Sequence, residues 1–175
     1  MSLHAQGVNP ILDRQRIMGS WYEYVEDSLD NSTNVFDSAF LVHRNSVNQT
    51  LTEMPYYDDV NFTTATFDAL SEFNLASDIF EPTEAGIYLL YASVAFSGVV
   101  AGTEVSLVLH QGGTLLLGNA RKWDACTTYV ETISVTGMLS LTAGQPIGVK
   151  VAVASGTPTL LGTPETTVFL GKRVG

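Results

Sequence analysis

The sequence is poor in cysteine and in positive charge: Cys126 is the only cysteine among 175 residues, and eight Lys and Arg stand against eighteen Asp and Glu. A lone cysteine cannot close an internal disulfide, so the fold must rest on its core. At this length a single domain buries about 70% of the surface its unfolded chain exposes, enough to do without a covalent staple. The formal net charge is −10, and the basic residues avoid the middle of the chain. None occurs between Arg44 and Arg121, where nine carboxylates fall: Glu53, Asp58, Asp59, Asp68, Glu72, Asp78, Glu81, Glu84 and Glu104. Phosphate backbones are held chiefly by Lys and Arg, so no nucleic-acid partner is expected.

Long apolar runs are missing as well. The longest, residues 87–96, is interrupted by Ser93 and falls well short of the eighteen or so residues a membrane helix needs. The chain therefore reads as soluble, with no membrane partner. No apolar stretch follows a basic start, as a secretory signal requires, so the expected compartment is reducing or the protein leaves its cell by another route. In that setting the Asn-x-Ser/Thr triplets at Asn31, Asn48 and Asn61 read as unmodified polar residues. There is no Gly-x-y repeat and no heptad series.

Residues that carry catalysis are sparse and scattered. His4 lies near the N-terminus, His43 beside Arg44, and His110 just ahead of a glycine pair. Each reads as a surface or edge residue, and none has a nucleophile and an orienting group placed to form a triad. Asp124, two residues from Cys126, disfavours a thiolate there, so no reactive thiol is expected. Three histidines and one cysteine spread over more than a hundred positions do not make a zinc site. Gly112-Gly113 and the glycines at 98 and 102 lack the lysine and the strand-to-helix setting of a phosphate loop, and read as turns. No enzyme is expected.

What the sequence does carry is period two. Val105, Leu107 and Leu109 alternate with Ser106, Val108 and His110, and Gly112-Gly113 supplies the positive φ angles of a tight turn, so residues 103–118 form a hairpin. Further on, Ile133, Val135, Leu139 and Leu141 oppose Thr132, Ser134, Thr136 and Ser140. Past the turn at 142–145, Ile147, Val149, Val151 and Val153 make another strand, with Pro146 at its start, where it removes no central ladder bond. β-branched residues dominate from position 36 and no helical stripe recurs, which predicts an all-β sandwich.

Phe62, Asp68, Phe73, Phe80, Gly86 and Tyr88 are separated by five, four, six, five and one residues. This pattern resembles the signature of the globular head of complement component 1q, within the tumour-necrosis-factor-like superfamily. That signature continues with aromatics where this chain has Leu90 and Ala92, and its last strand usually has a small hydroxyl residue where this chain has Leu170. The resemblance covers about residue 37 to the C-terminus, a span typical of one domain. It implies an antiparallel two-sheet jelly roll running from a first strand at 39–43 to a last strand at 167–171. Phe62, Phe73 and Phe80 would fill the space between the sheets, and Gly86 would permit a backbone turn that a side chain blocks.

The resemblance further implies a compact homotrimer. A strand at 87–96 that is apolar on both faces is expected to be buried on both. Tyr88 and Tyr91 alternate there with Ile87 and Leu90, so one set serves the core and the other a neighbour; Tyr88, Leu90 and Tyr91 are the candidate subunit contacts. Relatives of this fold sometimes hold calcium near the trimer top, and Glu53, Asp58 and Asp59 share one loop. Their spacing is not that of a calcium loop, so the loop reads as acidic and solvated ahead of a strand starting near Val60, and no cofactor is expected.

Residues 1–36 form a separate arm, with short patches at 11–18 and 21–25 too small to be stable alone in water. Trp21, Tyr22 and Tyr24 would anchor it on a neighbouring subunit or partner, or pack it under its own domain. Phage particles carry trimeric heads of this superfamily. A jelly roll without collagenous stem or catalytic constellation then reads as a non-enzymatic structural protein of a bacteriophage virion, assembled in the host cytoplasm: a capsid cement or decoration protein held by its arm on the major capsid protein. The alternative is a tail-fibre or spike head that binds a host receptor or glycan, with Trp123 and Asp124 at a loop tip.

Overall fold

The computed structural model describes residues 38–52, 57–123 and 130–175. The arm with Trp21, Tyr22 and Tyr24, and also Glu53, Asp124 and Cys126, lie outside the described residues. Thirteen strands follow one another: β1 (Ala39–His43), β2 (Gln49–Thr50), β3 (Asp58–Asp59), β4 (Thr64–Asp68), β5 (Phe73–Asn74), β6 (Ile79–Phe80), β7 (Gly86–Ser97), β8 (Glu104–Gln111), β9 (Thr114–Lys122), β10 (Glu131–Leu141), β11 (Ile147–Val153), β12 (Thr159–Leu160) and β13 (Val168–Arg173). Among the described residues there is no α-helix. Every pairing is antiparallel.

The strands form two sheets. In the first, β7 lies between β10 on one side and β12 and β13 on the other; β13 then pairs β1, and β1 pairs β4. In the second, β8 joins β9 to β11, while β3 and β6 add to the far side of β11 and β5 pairs β6. The hairpin between β8 and β9 turns at Gly112 and Gly113, with φ of 52° and 91°. Two consecutive left-handed residues match the strand twist, and only glycine adopts them without cost.

The core lies between the sheets and is aromatic at one end. Phe40 stacks on Phe80 at 4.4 Å and meets Phe169 edge-on at 4.9 Å, while Phe62 and Phe73 complete the cluster. Tyr88 closes it against Phe80 at 5.6 Å, with its hydroxyl donating to the Glu84 carbonyl. Burial also pushes the Tyr88 phenol above its ordinary pKa. Side chains of this size dominate core energetics through the area they remove from water. Alternation in β10 follows the expected pattern: Ile133, Val135 and Leu141 are buried, while Thr132, Ser134, Thr136 and Ser140 are exposed.

Two expectations change. Val60 begins no strand: it lies fully buried between β3 and β4 and donates its amide to the Val149 carbonyl. Gly86 has no positive φ; its need is space, because a Cβ there would fall 2.7 Å from Arg173 Nε and from the Gly175 carbonyl oxygen.

Candidate functional site

Six positions of the 62–88 pattern build one corner of the sandwich. Asp68 ends β4 and turns its carboxylate on the following loop, accepting the amides of Glu72 and Phe73, each at 2.9 Å. This fixes the entry to β5 and so delivers Phe73 to the aromatic cluster. Glu72 is buried, and its carboxylate is satisfied by the Ser38 hydroxyl and by the amide and hydroxyl of Thr83. A buried carboxylate holding three donors ties the start of β1 to the turn before β7. The corner is structural.

The three residues expected at a subunit contact divide between two faces. Tyr88 and Leu90 are fully enclosed within a single chain, facing Phe80 and Phe40, and so are core residues rather than contacts. Period two puts Tyr91 with Ile87 and Leu89, not with Tyr88, and these three look outward. The strand is covered on both faces only over its second half, residues 92–96.

The outward face of the first sheet is the part of the described surface most in want of a cover. Register places Phe67, Leu41, Leu170, Tyr91 and Thr136 in one row across it, and Ala39, Lys172, Leu89 and Met138 in the next; Ile87 stands beyond, opposite Ser140. Met138 is 68% exposed, Val174 52%, Phe67 49%, Ile87 46% and Leu89 41%. Single exposed apolar residues are ordinary on protein surfaces, but a contiguous set on one sheet face marks an interaction site. Only Lys172 interrupts these rows with charge.

Other sequence-derived candidates fall elsewhere. Trp123 is no loop-tip platform: it is 5% exposed, packs on Phe96 at 6.5 Å and lies under the Arg121 guanidinium at 5.1 Å. His43 is half-buried on β1, and His110 is buried, contrary to the surface reading. Asp58 accepts the Thr52 amide, and Asp59 is paired with Lys150 at 3.3 Å. Among the described residues no three His, Cys, Asp or Glu side chains are grouped as a metal site. Arg44 is the strong buried cation: it donates to the carbonyls of Val47 and Asn61 and to Gln49 Oε1, and burial lowers its pKa against the pull of Asp78. These bonds lock the loop after β1, and sequence reasoning did not single Arg44 out.

No protein-family model matches the chain. No curated protein sequence matches it either. Solved structures do. The globular domain of zebrafish complement 1qA superposes with a TM-score of 0.58 at 17% identity, covering 79% of this chain and 98% of its own. Eiger TNF from S. frugiperda gives 0.59 at 18%, covering 79% and 93%, and murine APRIL at pH 8.0 gives 0.59 at 19%, covering 78% and 98%. The fold is thus the antiparallel jelly roll of the complement 1q globular domain and of tumour-necrosis-factor-like proteins.

Proposed function

We propose that the chain is a non-enzymatic homotrimeric head whose subunits meet through the outward face of the first sheet. One observation carries this reading: Phe67, Ile87, Leu89, Met138 and Val174 are large, apolar and exposed together. Leaving them in water forgoes about 25 cal/mol for each Å² of apolar surface, and in a ring of three copies each subunit's apolar face is covered by its neighbours. In the finer reading, the head is a capsid cement or decoration protein of a bacteriophage particle, with Trp21, Tyr22 and Tyr24 of residues 1–36 as its grip on the major capsid protein. The shortage of Lys and Arg, which disfavours phosphate-rich partners, supports a protein partner. The receptor-binding alternative loses its candidate platform, because Trp123 is committed to Phe96 and Arg121.

Deleting residues 1–35 separates the two parts of the proposal. Light scattering should still give a mass three times that of the remaining chain, while sedimentation with purified particles should lose the protein from the pellet. Persistent decoration would remove the arm from its role, and a monomeric head would remove the trimer.

A further inference from the structure

His110 lies on β8 at a position whose alternation turns it away from the core, in line with Ser106 and Val108. Its side chain is nonetheless only 7% exposed. Directly across on β11 is Gly148, where a Cβ would fall 2.6 Å from His110 Nε2 and 2.9 Å from Ile79 Cδ1. The imidazole fills the notch that the missing side chain leaves, and Ile79 of β6 closes it from the other side. Asp59 of β3 brings Oδ1 to 3.5 Å from Nε2, and the same oxygen is 3.3 Å from Lys150 Nζ. Neither ring nitrogen has a hydrogen-bond partner. The charged groups facing the ring are therefore Asp59 from β3 and Lys150 from β11; Ile79 of β6 and Leu115 of β9 carry none. Asp78, just before β6, is turned to the Phe62 amide instead.

We infer that His110 is an acid-sensitive latch: the neutral ring lets the two-residue strands β3 and β6 stay paired along β11, with Asp59 and Ile79 against the ring, and protonation releases them. A proton on the ring would put two cations beside one carboxylate, that of the largely exposed Asp59, while the imidazolium itself stays covered and without the water it needs. Hydrating the imidazolium requires Asp59 and Ile79 to move, and the strands that carry them make the shortest pairings on β11. Burial first, and Lys150 second, hold the His110 pKa below the ordinary imidazole value, against the pull of Asp59. The closed state therefore has its full stability above about pH 6.5 and loses it as pH falls through that value toward the lowered folded pKa. Burial raises the Asp78 carboxyl, which favours the folded state as pH falls, so it does not contribute to a loss on acidification.

Hydrogen exchange of the full chain at about pH 7.5 and about pH 5.5, corrected for intrinsic rates, tests this, with a ceiling of about tenfold loss of protection per pH unit inside the window. Amides of β3, Val60 and β6 should lose protection at the lower pH while those of β7 and β10 do not. His110→Gln should abolish the difference. Lys150→Gln, which removes one cause of the lowered pKa, should shrink it, and carries the test if the histidine variant fails to fold. Equal protection at both pH values, an undiminished difference in Lys150→Gln, or parallel opening of β7 and β10 would overturn the latch.

Discussion

The two sheets expose opposite kinds of outer face. Across the second sheet, the outward positions of β8, β9 and β11 hold mainly small residues and a charged group: Ser106, Gly118, Ala120, Gly148 and Ala152, with Lys150 and Asp59 beside His110, and one large exposed apolar side chain, Leu115. Even Val108, in the middle of that face, is 5% exposed. Across the first sheet the corresponding positions hold Phe67, Leu41, Leu170, Tyr91, Leu89 and Met138. Along these strands one outer face leaves a single large apolar side chain in water, and the other leaves several. The hydrophobic effect is non-directional, so an apolar sheet face left in water is closed by whatever comparable surface approaches it, and further copies of the chain are the surface proposed above.

Neighbouring residues of β7 offer the sharpest way to break this comparison, because they look to opposite sides. Tyr88→Asp places a charge inside the aromatic cluster and should abolish folding, read as loss of the cooperative unfolding transition. Phe80→Ala, at the centre of the same cluster, should cost about 3–5 kcal/mol in denaturant unfolding. Asp68→Ala leaves two amides to find water and should cost about 1–2 kcal/mol by the same measurement. Least affected should be Glu84→Gln, which breaks a largely exposed pair with Arg173 and should change stability by about 0–1 kcal/mol. A large loss there would mean that the pair is covered in the assembled protein.

Much of the sandwich is legible in the chain, because alternation and turn chemistry are local. β10 shows it best, and the glycine pair between β8 and β9 needs no tertiary information. Phe62, Phe73 and Phe80 are core residues. Strands of two residues (β2, β3, β5, β6 and β12) are too short to show any period and exist through the neighbours they meet. Residues 87–91 of β7 are all apolar, so pattern cannot tell inside from outside there, and register with β13 and β10 decides it. His110 and Trp123 occupy positions that read as exposed, and both are covered by residues far away in sequence, Asp59 and Ile79 for the one and Phe96 for the other. Gly148 was likewise invisible as a notch, since its meaning depends on the side chain across the sheet.

Light scattering coupled to size exclusion, run on the full chain and on the double variant Leu89→Asp/Met138→Asp, addresses the apolar face most directly. The unaltered chain should elute at three times 18.9 kDa. The variant should elute at the single-chain mass with its circular dichroism intact, since both side chains point away from the core. A monomeric unaltered chain, or a variant that still forms trimers, would contradict the assignment of this face.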